Sequence, residues 1–133
     1  MQDLNTGDYK INLDTLSLDR NLRILITGCA GFIGSNLLEF LLKKDIYIRG
    51  LDNFATGSKE NIESAIKEAS RINKKIRFEF IEGDIRNNDD CLKGTNEIDI
   101  VLHHAAMGSV QRSIENPILS SSVNVEGTLK SCV

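Results

Sequence analysis

Gly28, Gly31 and Gly34 recur every third residue in Thr27-Gly28-Cys29-Ala30-Gly31-Phe32-Ile33-Gly34. That spacing suits a turn that cradles an anion. Gly28, lacking a Cβ, can turn sharply out of a strand. Gly31 lets backbone come close to a phosphate, and Gly34 lets a following helix pack tightly on a sheet. The first amides of such a helix are unpaired donors, and its dipole favours negative charge. Three glycines in a turn can also be merely structural, so the flanking elements decide. Asp52 follows the loop by roughly 20 residues, where a carboxylate can accept from ribose hydroxyls and would repel a 2′-phosphate. The alternative for Asp52 is a solvated turn residue.

The elements that must position these residues read as follows. Leu22 to Thr27 is a short apolar run rich in branched residues, expected as a buried parallel strand. Ser35 to Lys44 has helical spacing, with Lys43 and Lys44 expected in its last turn. Ile46 to Leu51 predicts a second strand ending at Asp52, and Asn53 to Ser58 a loop. Lys59 to about Ile72 predicts a helix, Ile76 to Ile81 a third strand, and Asn88 to Leu92 a short helix. Ile98 to His103 predicts a fourth strand. Ser109 to Asn116, and Pro117 onward, read as loop and helix, with Pro117 placed at a helix start. Strands alternating with helices imply right-handed crossovers and a parallel sheet. The fold class is therefore α/β: a Rossmann-type parallel sheet with helices on both faces, incomplete, about four strands in the order 3-2-1-4. In that setting the glycine loop and Asp52 predict binding of the adenosine-diphosphate half of NAD.

Two further positions keep alternatives open. Asp84, just past the third strand, could accept from an adenine amino group beside Ile85, or could cap the helix that follows. His104 could act as a base, or simply pack at a strand end.

Composition removes several other functions. The chain has 133 residues, enough for one domain. Residues 1–21 read as a polar extension and 22–133 as the dinucleotide-binding domain. A net charge of −3 offers no basic field for nucleic acid or anionic lipid. No apolar run approaches the roughly 20 residues of a membrane span, and the polar start lacks a signal-peptide core. A cytoplasmic location is expected. Cys29, Cys91 and Cys132 are widely spaced, and His103 and His104 are adjacent rather than at ligand spacing, so no metal is expected.

At these residues the sequence resembles the extended short-chain dehydrogenase/reductase family, and within it the nucleotide-sugar epimerases and dehydratases. The marks are the glycine loop through Ser35, Leu51-Asp52-Asn53-Phe54-Ala55-Thr56-Gly57, Glu82-Gly83-Asp84-Ile85-Arg86, His103-His104-Ala105-Ala106 and Asn124-Val125-Glu126-Gly127-Thr128. The stretch from Met107 to Pro117, with Gly108-Ser109-Val110-Gln111-Arg112-Ser113, narrows the likeness to UDP-N-acetylglucosamine 4-epimerases that serve bacterial surface polysaccharides. The likeness runs from about Leu22 to Val133.

This resemblance implies residue roles. Gly28, Ala30, Gly31, Phe32, Ile33 and Gly34 would form the pyrophosphate loop. Asp52, Asn53, Thr56, Gly57 and Ser58 would hold the adenosine ribose, and Asp84 and Ile85 the adenine. His104, Ala105 and Ala106 would line the cofactor, with Asn124 beside it. Gly108 and Ser109 would face the sugar, and Arg112 would lie towards the substrate side. The implied reaction inverts C4 of a UDP-hexose through a 4-keto sugar, hydride passing to NAD and back. Full-length members are expected to be homodimers.

The family's catalytic unit is a Ser or Thr with Tyr-x-x-x-Lys. Tyr9 is followed four residues on by Leu13 and Tyr47 by Leu51, so neither begins that motif. No catalytic residue is assigned in this chain. The expectation is the front portion of an epimerase, inactive alone, whose fourth strand is an open parallel edge that favours association. The alternatives are a free-standing NAD-binding fragment and the front of a sugar 4,6-dehydratase.

Overall fold

The computed structural model describes residues 20–132. The helical turn expected around Leu13 to Leu18 lies outside them. Four parallel strands stand in the order β3-β2-β1-β4, as the alternation of elements predicts. They are β1 (Arg23–Thr27), β2 (Tyr47–Asp52), β3 (Phe78–Glu82) and β4 (Ile100–His103). In register, Ile26 of β1 lies between Gly50 of β2 and Leu102 of β4. The helices are α1 (Phe32–Leu42), α2 (Lys59–Ser70), α3 (Asn88–Thr95) and α4 (Val110–Glu115). Then α5 (Pro117–Ser121) continues through a π-helical segment, Ser122–Glu126, into α6 (Gly127–Ser131).

Strand alternation sorts the core onto two faces. Ile24, Ile26 and Ile48 pack with Leu38, Leu41 and Leu42 of α1 and with Ile62, Ala65 and Ala69 of α2. Leu25 and Leu51 face the other way, with Ile85 and with Cys91 of α3. β1 is almost wholly buried because it is central and covered on both sides.

Several details depart from the sequence reading: β3 and β4 each begin two residues later than expected, and α3 runs on to Thr95. α1 begins at Phe32 and ends at Leu42, so Lys43 is its C-cap and Lys44 lies outside. Lys43 instead pairs with Glu39 one turn back, at 2.9 Å. Residues 110–115 form a helix rather than loop, because Ser109 caps one end and Asn116 closes the other. Asn116 then caps α5, with Pro117 in its first turn as expected.

Arg49 has a role that the strand pattern does not announce. Its side chain is buried on the α3 face of the sheet. Nη1 donates to the carbonyls of Lys93, Gly94 and Asn96 at 3.1, 3.0 and 2.8 Å, and Nε donates to Glu79 at 3.0 Å. A guanidinium thus satisfies the open C-terminal carbonyls of α3 and complements its dipole. Arg49→Leu should strip those carbonyls of their donor while keeping the apolar stem. The expected loss is about 3 kcal/mol, a fall of roughly 10 °C in Tm for a domain of this size. Thermal denaturation checks it, and a shift under about 3 °C would count against the capping role.

Candidate functional site

A cleft of about 180 Å³ opens at the C-terminal ends of the strands. Each strand delivers its following residues to it: Gly28 and Gly31 after β1, Asp52 to Thr56 at the end of β2, Gly83 to Arg86 after β3, and His104 to Met107 after β4. β1 lies between β2 and β4: the chain runs outward from β1 through β2 to β3, then crosses back past β1 to β4, so the strand order reverses here. Such a switch point is where open parallel sheets bind ligands.

Backbone geometry explains two of the glycines. Gly28 has φ +72°, and a Cβ there would stand 2.6 Å from the Ala105 amide nitrogen. The ends of β1 and β4 therefore meet through a residue with no side chain. A Cβ on Gly34 would stand 2.0 Å from the Gly28 carbonyl oxygen. Gly34 thus packs α1 onto the turn itself, a closer seat than the sheet packing that its spacing suggested.

The N terminus of α1 is open. Gly31 provides no side-chain cap, and its first turn holds no acidic residue. Ser58, Asn87, Ser109 and Asn116, by contrast, cap α2, α3, α4 and α5 with side-chain oxygens. The Gly31 amide bonds the Gly28 carbonyl at 3.1 Å, but the amides of Phe32 and Ile33 meet no acceptor among the described residues. Free donors at a positive dipole end make an anion site. The side chains of Phe32 and Ile33 are exposed.

Ala30 serves the loop differently from its expected part. It is fully buried, and its amide donates to Asp52 Oδ2 at 2.9 Å. Its carbonyl accepts from the Ser58 amide and from Asn61 Nδ2. Ala30 therefore fixes the loop and has no amide left to offer. Gly57 presses against it, with a Cβ position 2.5 Å from the Ala30 carbonyl group. Ser58 caps α2 and, like Gly57, supports the cleft without lining it.

Asp52 and Asn53 reach the cleft, as does exposed Thr56. Asp52 Oδ1 accepts from the Phe54 amide at 2.8 Å, so each carboxylate oxygen takes one backbone amide. Each keeps one acceptor position. Two adjacent acceptors with one opening each match a vicinal diol. Beneath them the Cys29 thiol is pushed up to about 12 by burial and then by the Asp52 charge. It stays neutral and adds no second charge beneath the Asp52 carboxylate.

Asp84 does not cap α3; Asn87 does. Asp84 accepts instead from Arg86, through the amide and the guanidinium, and from Asn53 Nδ2 at 3.2 Å. The Arg86 side-chain bonds above all hold its carboxyl down to about 2, so it stays an acceptor at any working pH. Ile85 lines the cleft with a nearly buried side chain, pressed by α6 at Gly127. His104, Ala105 and Ala106 form the opposite wall.

Three expected residues are placed elsewhere. The Asn124 side chain is turned onto the backbone of Met107, accepting from its amide at 2.7 Å and donating to its carbonyl at 3.1 Å. It positions the wall rather than lining it. Gly108 is exposed with open space around it, and Ser109 caps α4. Arg112 lines the cleft. Sequence reasoning passed over Arg86, Met107, Leu119 and Val123, which line it too. Leu119 and Val123 come from α5 and the π-helical segment, whose seat over the cleft depends on contacts far apart in sequence.

Residues 25–130 match the family described as GDP-mannose 4,6 dehydratase. The chain belongs to that family. A UDP-glucose 4-epimerase of Mycolicibacterium smegmatis is 37% identical over 110 residues, covering 82% of this chain and 33% of that one. The UDP-glucose 4-epimerase of Thermus thermophilus, solved in complex with NAD, is 36% identical with a TM-score of 0.66, over 83% of this chain and 32% of that one. DesIV of Streptomyces venezuelae, a dTDP-glucose 4,6-dehydratase solved with NAD, is 30% identical with a TM-score of 0.68, over 83% and 34%. The chain spans about a third of the length of these relatives. The likeness confirms the Rossmann-type architecture and its strand order. Among the described residues, no helix is long and apolar enough to cross a membrane, and no group of three or more His, Cys, Asp or Glu side chains could hold a metal ion.

Proposed function

We propose that this chain is the NAD-binding portion of a UDP-hexose 4-epimerase acting on UDP-N-acetylglucosamine or UDP-glucose. One observation carries the reading: Gly31, the residue from which α1 starts without a side-chain cap, and Asp52, with two open acceptor positions, line one cleft. Amides for phosphates and a carboxylate for a diol are the recognition elements of an adenosine diphosphate. The amides of Phe32 and Ile33 take the pyrophosphate. Asp52 accepts from the ribose hydroxyls, with Asn53 held beside it by Asp84. Asp84 accepts from the adenine amino group above Ile85. His104, Ala105 and Ala106 keep water from the far wall. When bound, NAD supplies the hydride acceptor for C4 of the sugar and returns the hydride to the other face. The sugar enters on the Arg112 side, where the guanidinium faces a nucleoside diphosphate.

The DesIV likeness favours one second reading, the front of a nucleotide-sugar 4,6-dehydratase. Product analysis decides between them. The full-length protein should run as a homodimer and, given UDP-N-acetylglucosamine and separately UDP-glucose, should yield the C4 epimer. A 6-deoxy-4-keto product supports the dehydratase instead. Absence of NAD binding by calorimetry removes both.

A further inference from the structure

Hydrogen bonding at Thr27 bears on the proton of a ring 76 positions away in sequence, His103. Thr27 Oγ1 accepts from the Ala105 amide at 3.2 Å and, at the same distance, shares the His104 amide, whose shorter bond of 3.0 Å goes to the Thr27 carbonyl. A hydroxyl oxygen has two lone pairs and one proton. That proton must go to the remaining partner, His103 Nδ1, at 2.7 Å. With Nδ1 accepting, a neutral ring carries its own proton on Nε2. Nε2 lies 3.0 Å from Thr128 Oγ1, and the Thr128 hydroxyl donates onward to the Asn124 carbonyl at 2.7 Å. The Asn124 side chain holds both backbone groups of Met107, which lines the cleft.

We propose that His103, as the neutral Nε2–H tautomer, is a positioning residue: the relay Thr27–His103–Thr128–Asn124 ties the Met107 wall of the cleft to the sheet. The proposal rests on reading the cleft as an NAD site. Asn124 sits in the π-helical segment, where the Gly127 amide reaches the Ser122 carbonyl and the ordinary ladder is interrupted. Such a segment gains from an outside tie, and π turns recur at functional sites. His103 supplies the tie from β4.

The relay is sensitive to protonation. A second proton on Nδ1 would remove the acceptor of the Thr27 hydroxyl and face an oxygen that already receives the Ala105 amide and part of the His104 amide. Burial, then the neighbouring His104, holds the His103 ring below its ordinary value. Thr27 of β1 and Thr128 of α6 bond the ring, and Thr95 of α3 with Ser131 and Cys132 at the end of α6 line a cavity with it; none of these is a carboxylate that could steady an imidazolium. A ring that titrates lower folded than unfolded favours the native arrangement fully above about pH 6.5 and less as pH falls below it.

The test uses the full 133-residue chain. Long-range 1H–15N spectra of His103 should show the neutral Nε2–H tautomer at neutral pH; the Nδ1–H tautomer overturns the relay. Calorimetry with NAD then compares Thr128→Val, which removes the hydroxyl, with Thr128→Ser, which keeps it. Affinity should fall about fivefold to tenfold in the valine variant and recover in the serine variant. His103→Gln should flatten a wild-type loss of affinity that sets in as pH falls below about 6.5. Unchanged affinity in folded Thr128→Val overturns the proposal. A wild type that binds no NAD overturns the site reading, while the tautomer still decides the relay.

Discussion

Gly31→Ala is expected to fold normally and to lose on the order of 100-fold in NAD affinity, the worth of about two charge-assisted hydrogen bonds. Gly31 has φ −79° and ψ 176°, a conformation open to any residue. A Cβ there would meet only the Gly28 carbonyl oxygen, at 3.4 Å, so stability should change by less than about 0.5 kcal/mol. The new methyl would stand at the cleft rim, between the Phe32 and Ile33 amides and an incoming phosphate. Gly34→Ala makes the opposite separation. Its Cβ would lie 2.0 Å from the Gly28 carbonyl oxygen and 2.8 Å from the carbonyl carbon, and neither can step aside. The helix must back away from the turn, at a cost of about 3 kcal/mol. Thermal melts and NAD calorimetry on both variants distinguish a residue that guards ligand access from one that seats a helix. Wild-type NAD affinity in Gly31→Ala would mean that no phosphate approaches this backbone.

That contrast shows what the sequence could and could not announce. Spacing alone marks three glycines, and strand–loop–helix context marks them as one loop, because these are local properties. Their separate duties depend on what stands opposite. Gly28 faces Ala105, 77 positions away, and Gly34 faces Gly28 itself. The sheet order followed from alternation and crossover handedness, and it agrees with the structure. Arg49 read only as a strand residue, since the carbonyls that it caps belong to a helix more than 40 residues on. Residues 110–115 escaped as a helix because six residues carry little periodicity, although Ser109 three positions before Arg112 was a legible cap. The resemblance implies Asn124 beside the cofactor, and only the fold shows that its side chain bonds both backbone groups of Met107. A π turn has no residue signature comparable to a cap, so the seat of Val123 could not be anticipated.

Asp52 should produce the largest effect on cofactor choice. Wild type is expected to bind NAD roughly 100-fold more tightly than NADP, because a 2′-phosphate brought within about 4 Å of this carboxylate is repelled by several kcal/mol at an interfacial dielectric. Asp52→Ala removes two charge-assisted acceptors for the ribose, worth about 3 kcal/mol together, so NAD affinity should fall at least about 100-fold. Stability falls as well, since the carboxylate also receives the amides of Ala30 and Phe54. Phe54 has φ +57°, an uncommon conformation for a residue with a side chain, and Asp52 together with the Phe80 ring at 5.3 Å holds it there. Asp52→Asn separates the two duties. One amide oxygen still receives Ala30 or Phe54, while the NH2 group faces the other donor and leaves it unpaired, at about 1–3 kcal/mol. The negative charge is gone in either orientation, so the preference for NAD should shrink to within about tenfold even in the folded fraction. Calorimetry with both dinucleotides on wild type and Asp52→Asn, at a temperature where melts show both folded, reads the charge apart from the scaffold. Equal affinity of the wild type for NAD and NADP would remove Asp52 from the ribose. The open acceptor positions on its carboxylate would then need another occupant.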